Sequence, residues 1–571
     1  MNYAGTVSAQ GIAVGRVFLY SPYIPTIDRV KISDSDITKE IDRYHKAHER
    51  AKDELNALLS KMLERDQNQA KIFQAHMDIL DDVVMVDEIT GVIEGNCWNA
   101  NQAVDFVYTQ YADILKASPN QLISERSADM LDVRHRLLRC LENKPENELA
   151  TLKEPVILVT QDLLPSDTAV LDPKMIQAII TEYGGATSHS AIIARSYGIP
   201  ALAGIQNVCN LLKNGDMVVV DALEGQLITN PNPEEVSQYE QKRLAFLQQR
   251  KDEQEYSTVK ACTVTGERVQ VLANIGTGSE KELSCAGVVD GVGLFRTEFL
   301  YMGRSELPSE EEQYQHYRKV FETFSPNPVT LRTLDIGGDK KADCLELPAE
   351  ENSFLGNRAL RLCFDREDVF LTQLRAVLRA SIHGKVKLMF PMVSSIEDIH
   401  RAKAALEKAK SQLAERGMDW NHDMEVGVMI EIPALALMAD MVAKEVDFAS
   451  IGTNDLVQYT LAVDRVNPAV SQYYRPFHPA IMRLLNYIIQ EFRMAGKGIS
   501  VCGEMGGDPV AATALLGMGI RTLSAGAASV AAIKKLVCTL DIQKAQKCVK
   551  DICMAPTADE VQNRLKEIMP Q

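Results

Sequence analysis

The sequence predicts an α/β protein in two parts: a C-terminal (β/α)8 barrel, and an N-terminal α/β domain that carries an inserted helical bundle. Three observations predict it. From residue 261 onward, strand and helix patterns alternate over about 310 residues, close to the roughly 250 of such a barrel with insertions. Between residues 21 and 147, apolar residues recur at steps of three and four. On either side of that stretch, residues 1–20 and 148–230 read as short strands broken by glycine, which places them in one sheet around a helical insert.

In the insert, Ile37, Ile41, Tyr44, Ala47, Ala51, Leu55, Leu58 and Met62 form one apolar face over many turns, and further helical patterns run to RHRLLRCLEN. Strands resume at PVILVT, IQAIIT, IPALAG and MVVVDA. Then comes a long polar segment, for which Asn232 is the expected cap and Pro233 the first helical residue; it predicts a helix over 233–256 within a linker at 231–260. The barrel strands are expected at RVQVLANI, GVVDGVGLF, PVTLRTLD, KVKLMFPM, EVGVMIE, VDFASIG, GISVCGE and GIRTLSAG.

Composition narrows the function classes. A chain of 571 residues is too long for one core, and 46% hydrophobic with 24% charged residues is ordinary for a globular protein. A formal charge of −17 argues against general nucleic-acid binding, because there is no surplus of cations to neutralise phosphates, yet it permits a basic protein partner. Eleven cysteines without a CxxC pair fit reduced cytosolic thiols better than a disulfide framework or a zinc site. No signal peptide and no membrane-spanning run is read, so the expected location is cytoplasmic.

The stretch GGATSHSAIIAR, from Gly184 to Arg195, places His189 where a glycine turn feeds a helix. Thr187 or Ser188 is the expected cap, and the free N–H groups of a helix start would stabilise an anion carried by that histidine. In the barrel, polar residues gather at the strand ends: Arg296 at the second, Arg332 and Asp335 at the third, Glu431 at the fifth. Asn454 and Asp455 follow the sixth, Cys502 and Glu504 the seventh, and Ser524 the eighth. Barrel active sites lie at that rim. Arg296, Arg332 and Arg465, with Lys340 and Arg358 to add, suit carboxylate and phosphate. Glu431 and Asp455 suit Mg²⁺, and Asn454 can orient a phosphate. Cys502 offers a proton beside Glu504, although the surrounding cations would favour its thiolate. Together these predict a site for a small, multiply anionic phosphate compound.

The blocks GGATSHSAIIAR, GVGLFRTEFL, RTLDIGGDK, GVMIEIPA, IGTNDLVQYTLAVDR and VCGEMGGD resemble, in order and spacing, those of enzyme I of the bacterial sugar phosphotransferase system, over nearly the whole chain. The resemblance implies that phosphoenolpyruvate binds in the barrel with Mg²⁺ and that its phosphate passes to His189, releasing pyruvate. The N-terminal α/β domain would then be the phosphohistidine domain. The phosphate would next reach a histidine of the small phosphocarrier protein HPr, the first step of sugar phosphotransfer. It implies Arg296, Arg332, Asn454, Asp455 and Arg465 on the substrate, Glu431 and Asp455 on the metal, and Cys502 as the acid that protonates the enolate carbon. Thr168 would support the phosphohistidine; Asp335, Lys340, Arg358 and Glu504 would support the barrel site. The insert would be the carrier-docking domain, where Asp78, Asp81 and Asp82 either meet a basic carrier surface or form a solvated helix face; the barrels would pair into a homodimer, and the 233–256 helix would be the arm of a swinging domain. Ala186, Asn357 and Ser524-Ala525-Gly526 depart from the common pattern and bear on which carrier and which branch the chain serves. A dikinase or synthase of the same kind would need an ATP-binding domain, for which no Gly-rich loop is found, and a regulatory paralogue would be expected to have lost site residues.

Overall fold

The computed structural model describes residues 2–21, 27–63, 67–116, 121–144, 149, 152–163, 167, 171–184, 189–338, 340, 342–348 and 350–570. The chain divides into two compact units, Met1–Gln249 and Arg250–Gln571.

The first unit is built on an eight-stranded mixed sheet. Its strands are β1 (Asn2–Ala4), β2 (Thr6–Ala9), β3 (Ile12–Leu19), β4 (Val156–Thr160), β5 (Ile176–Thr181), β6 (Ala201–Ala203), β7 (Met217–Asp221) and β8 (Gln226–Thr229), in the order β1-β8-β7-β3-β4-β5-β6-β2. The pairs β3–β4, β4–β5 and β5–β6 are parallel, and the others antiparallel. The sequence reading missed β8: QLIT is short, and it becomes a strand by pairing with β7 on one side and β1 on the other.

Five helices, Ile37–Leu63, Gln67–Leu80, Val83–Asn96, Ala100–Lys116 and Gln121–Leu141, make the insert. The stripe read from the sequence is its core: Tyr44, Ala47, Ala51, Leu55 and Leu58 are buried, with Ile37 and Ile41 packed against them. The same apolar cluster takes in Leu158, Ile176, Ile179 and Ala201, so the bundle and one face of the sheet share a core; Ile157, Val159, Ile180 and Val218 build another on the opposite face. The polar helix runs over Pro233–Glu255 with no buried residue. Its start is fixed reciprocally, since Glu235 N–H donates to Asn232 Oδ1 and Asn232 N–H to Glu235 Oε2, both at 2.8 Å.

In the second unit, β9 (Gln270–Ile275), β10 (Val292–Arg296), β11 (Pro328–Arg332), β12 (Lys385–Phe390), β13 (Glu425–Ile430), β14 (Phe448–Ile451), β15 (Gly498–Val501) and β16 (Thr522–Ala525) close a barrel whose strands all run parallel. These are the eight strands the sequence predicts. The period of two along each strand decides the rest. Phe295, Leu331, Leu388, Phe390, Val428, Ile430 and Val501 join the large core that includes the surrounding helices, whereas Leu294, Met389, Met429, Phe448 and Cys502 pack with one another as a separate small cluster. Arg296, two residues beyond Leu294, and Glu431, two beyond Met429, therefore belong to the inward-facing set.

Gly427 marks one tight crossing: a Cβ there would lie 2.4 Å from the Phe448 carbonyl oxygen. Phe295 is fully buried, edge-on to Tyr317 at 6.0 Å between ring centroids. Phe295→Ala should cost about 3–5 kcal/mol. Calorimetry checks this as a drop in the melting transition of the barrel unit.

Candidate functional site

Inward parity and strand ends bring most of the expected barrel residues together. Arg332 ends β11 and is 4% exposed; its Nη2 lies 2.7 Å from Glu298 Oε1 and 2.9 Å from Asp335 Oδ2. Lys340 Nζ donates to the same two oxygens, each at 2.8 Å. Arg358, fully buried, donates from Nε to Asp335 Oδ1 at 3.0 Å and from Nη1 to Asp455 Oδ1 at 3.0 Å. Arg465 Nη1 lies 3.4 Å from that Asp455 oxygen. Arg296, at the end of β10, stands over the Phe299 ring with its Cζ 5.2 Å from the centroid. Its buried Nε meets no hydrogen-bond partner among the described residues.

The carboxylates split by neighbourhood. Burial would raise Glu298, but Arg332 and Lys340 hold it below the ordinary range; Asp335 is held well below by Arg332, Lys340 and Arg358 against the same effect. Glu431, 1% exposed, goes the other way. Burial, then the Asp455 and Asp335 charges, push it up to about 8. Its Oε1 accepts from Met392 N–H at 2.6 Å, an amide aimed inward by the left-handed backbone of Met392 at φ 52°. Gly452 packs on the other side, where a Cβ would fall 2.7 Å from Glu431 Oε2.

Asn454 and Asp455 sit in the first turn of the helix Thr453–Leu461, which follows β14. Asn454 Oδ1 accepts from Glu504 N–H at 2.9 Å, which turns its Nδ2 outward as a donor. Glu504 thus enters the site by its backbone, while its side chain is exposed. Cys502 follows β15; its Sγ lies 3.6 Å from the Ile451 carbonyl oxygen and packs against Leu294, Met389, Met429 and Phe448. Burial pushes its thiol up to about 11. The expectation that the cations would favour thiolate is overturned, because loss of water outweighs Arg332 and Arg296 here. Ser524 donates to Asn274 Oδ1 at 2.6 Å, and Asn274 Nδ2 donates to the Cys502 carbonyl at 2.9 Å, so β16 and β9 brace the cysteine.

Sequence reasoning missed several residues. Glu298 stands two beyond Arg296 within GVGLFRTEFL, and that spacing was the available signal. Tyr459 stands one helical turn after Asp455. Met392, Phe354 and Asn274 carry no signal in the sequence, because long-range packing brings them in. Asn357, one of the departures noted, ties its own loop: its N–H donates to Glu350 Oε1 at 3.0 Å and its Nδ2 to Asp365 at 2.7 Å.

In the first unit, His189 opens the helix His189–Tyr197, after Gly184 at φ 94°. Residues 185–188, including Ala186, Thr187 and Ser188, and Thr168 lie outside the described residues. A cavity of about 470 Å³ adjoins this turn, lined by Glu182, Tyr183, Gly184, Gly204, Gln206 and Asn207. On the bundle, another of about 430 Å³ is lined by Asp78, Ile79, Asp82, Met85, Arg126 and Met130. Of the three expected docking acids, Asp78 and Asp82 line that cavity; Asp81 instead pairs with Lys52 at 2.8 Å.

Comparisons with known proteins agree along the chain. Residues 250–542 match the PEP-binding domain of PEP-utilising enzymes, 152–225 their mobile domain, and 4–126 their N-terminal domain. The phosphoenolpyruvate-protein phosphotransferase of Bacillus sp. (strain S) is 42% identical over 98% of this chain and 97% of its own. That of Staphylococcus carnosus (strain TM300) is 38% identical over 99% and 98%. The chain belongs to the phosphoenolpyruvate-protein phosphotransferase family. It is an enzyme of the phosphotransferase type, with a mixed α/β first unit and a barrel second unit. Among solved structures, that of an Enzyme I protein (nEIt) is 35% identical, covers 43% of this chain and 99% of its own, and gives a TM-score of 0.41. No helix among the described residues is long and apolar enough to cross a membrane, and all eleven cysteines are free.

Two outcomes follow from the site's electrostatics. Glu298→Gln removes one of the carboxylates that compensate the buried Arg332, and Asp335 remains, so the loss should fall near the lower end of about 3–5 kcal/mol. Chemical denaturation followed by circular dichroism measures it. With a thiol at about 11, Cys502 should be only about 0.1% thiolate at pH 8 and should alkylate far more slowly than an exposed cysteine, faster as pH rises toward 11. Peptide mapping after iodoacetamide treatment reads this directly.

Proposed function

We propose that the barrel mouth binds phosphoenolpyruvate with Mg²⁺, that the phosphoryl group passes to His189, and that His189 hands it to a histidine of a phosphocarrier of the HPr type, as the first step of sugar phosphotransfer. One observation carries the barrel part. Among the described residues, Arg296, Arg332, Lys340, Arg358 and Arg465 meet Glu298, Asp335, Glu431 and Asp455 at one barrel rim, beside a protonated Cys502. Five cationic groups face four carboxyl groups there, one of them raised to about 8, which favours a compact polyanion.

Glu431 and Asp455 are the residues that fit Mg²⁺. They form a buried carboxylate pair in which burial, then the Asp455 charge, drives Glu431 up to about 8, a cost that a bound cation would offset. An ion there would be held by these two carboxylates together with substrate oxygens. When bound, the ion supplies charge neutralisation to the substrate's phosphate and carboxylate oxygens.

The chain's own residues do the rest. The arginines and Asn454 Nδ2 hold the phosphate, spread its charge and align it, which is most of what phosphoryl transfer requires. The phosphorus–oxygen bond to the enol breaks as the bond to a ring nitrogen of His189 forms. The leaving enolate takes its proton at the methylene carbon from Cys502 Sγ, giving pyruvate, and the thiolate recovers a proton from solvent. A thiol of about 11 stands protonated at neutral pH, as an acid must. The apolar floor of Leu294, Met429 and Phe448 around that sulfur suits the substrate's methylene. On the bundle, Asp78 and Asp82 beside the exposed Val83 and Val84 suit a basic carrier surface with an apolar centre. A cytoplasmic location, a homodimer through the barrels, and a swing of the His189 unit about the 233–255 helix complete the proposal.

Labelled phosphoenolpyruvate with Mg²⁺ tests it. The chain should take up an acid-labile, base-stable phosphate that His189→Ala abolishes. Cys502→Ala should still bind phosphoenolpyruvate and still exchange phosphate with phospho-HPr, while pyruvate release falls by about 10²–10⁴-fold, the usual contribution of general acid catalysis. Normal labelling of His189→Ala would refute the assignment.

A further inference from the structure

Two aromatic residues at the barrel mouth have no place in the chemistry above. Tyr459 extends from the helix that carries Asp455 and bridges two groups. Its hydroxyl donates to the Phe354 carbonyl at 2.6 Å and accepts from Arg358 Nη1 at 3.2 Å. The Phe354 ring faces two cations at once, with its centroid 5.8 Å from Arg358 Cζ and 5.9 Å from Arg465 Cζ, both within the range of cation–π attraction. The same two arginines share Asp455 Oδ1, at 3.0 and 3.4 Å. Two guanidinium groups that would repel each other are therefore held side by side, by one carboxylate and one ring.

The loop that carries the ring is itself pinned. Ser353 Oγ donates to the Gly338 carbonyl at 3.0 Å, and Glu350 accepts the Asn357 N–H. Gly338 lies so close that a Cβ there would come within 3.0 Å of the Phe354 ring. Arg358 is fixed from behind by Gly337, where a Cβ would meet its side chain at 2.9 Å, and by Ala359, a non-glycine residue at φ 54°. The Tyr459 hydroxyl ties the Phe354 carbonyl of this loop to Arg358, beside the direct Arg358–Asp455 bonds.

We propose that Tyr459 and Phe354 are positioning residues that set Arg358 and Arg465 as one preorganised pair for the anionic groups of the substrate. Neither need touch the substrate. Their effect is on binding, since affinity for an anion depends on how much ordering of the cations remains to be done when it arrives. The inference rests on the reading of the barrel mouth as the phosphoenolpyruvate site.

The test uses the full-length chain with Mg²⁺, a phosphocarrier of the HPr type as acceptor, and two probes, phosphoenolpyruvate in turnover and inorganic phosphate in calorimetric titration. Tyr459→Phe removes one oxygen and keeps the ring. It should raise the KM for phosphoenolpyruvate about tenfold, as loss of a hydrogen bond to a charged group does, with kcat within about twofold. Phosphate affinity should weaken in parallel. Phe354→Leu should do the same, whereas Phe354→Tyr, which keeps the aromatic face, should restore the original KM. Unchanged KM and phosphate affinity in Tyr459→Phe, with only the melting temperature lowered, would mean plain packing and overturn the proposal. A fall in kcat at unchanged KM overturns it too. If the unaltered chain binds phosphate but does not turn over phosphoenolpyruvate, the proposed function fails, while the phosphate titrations of the variants still decide the positioning role. If it binds neither anion, both fall.

Discussion

The buried ion lattice at the barrel rim constrains everything around it. Asp335 is shared by Arg332, Lys340 and Arg358, Glu298 by Arg332 and Lys340, and Asp455 by Arg358 and Arg465. Charges removed from water are tolerable only when each has its counter-charge in place. The lattice therefore demands a frame that does not yield, and a closed parallel barrel supplies one, because every strand is hydrogen-bonded on both sides. It also explains why glycines crowd the rim. Gly337, Gly452 and Gly503 each stand where a Cβ would collide with a side chain of the site or its support, Arg358, Glu431 or Thr453.

Two electrostatic regimes meet within that frame. Toward the rim, cations dominate and hold Glu298 and Asp335 ionised. Below it, methionines, Leu294 and Phe448 surround Cys502, and the absence of water keeps a proton on sulfur. Glu431 lies between the regimes: burial first, then the Asp455 and Asp335 charges, raise it against the pull of Arg332 and Arg358. The alternation of side chains along each strand sorts them: one position up from the apolar floor on the inward face is the first charged residue.

The first unit follows a different logic. Its sheet and bundle share one apolar core, so helices and strands far apart in sequence stand or fall together. His189 needs little from that core beyond a turn and a helix start, and Gly184 at positive φ provides the turn.

Much of this was legible in the sequence. Alternating strand and helix segments located the barrel strands, and a period of 3.6 the apolar face of the first long helix, because those patterns are the local imprint of burial. Strand ends located Arg296, Arg332, Glu431 and Cys502, because a barrel has one polar rim. Tertiary structure decided what no local pattern encodes. It made QLIT a strand by giving it two neighbours. It gave Glu298, Met392 and Phe354 their roles by bringing distant segments into contact, and it gave Asp81 to Lys52 instead of leaving it to face solvent alone. It also overrode the expected pull of the cations on the Cys502 thiol. The sequence displays the charges near a residue, but the distance to water, which sets their strength, exists only once the chain has folded around it.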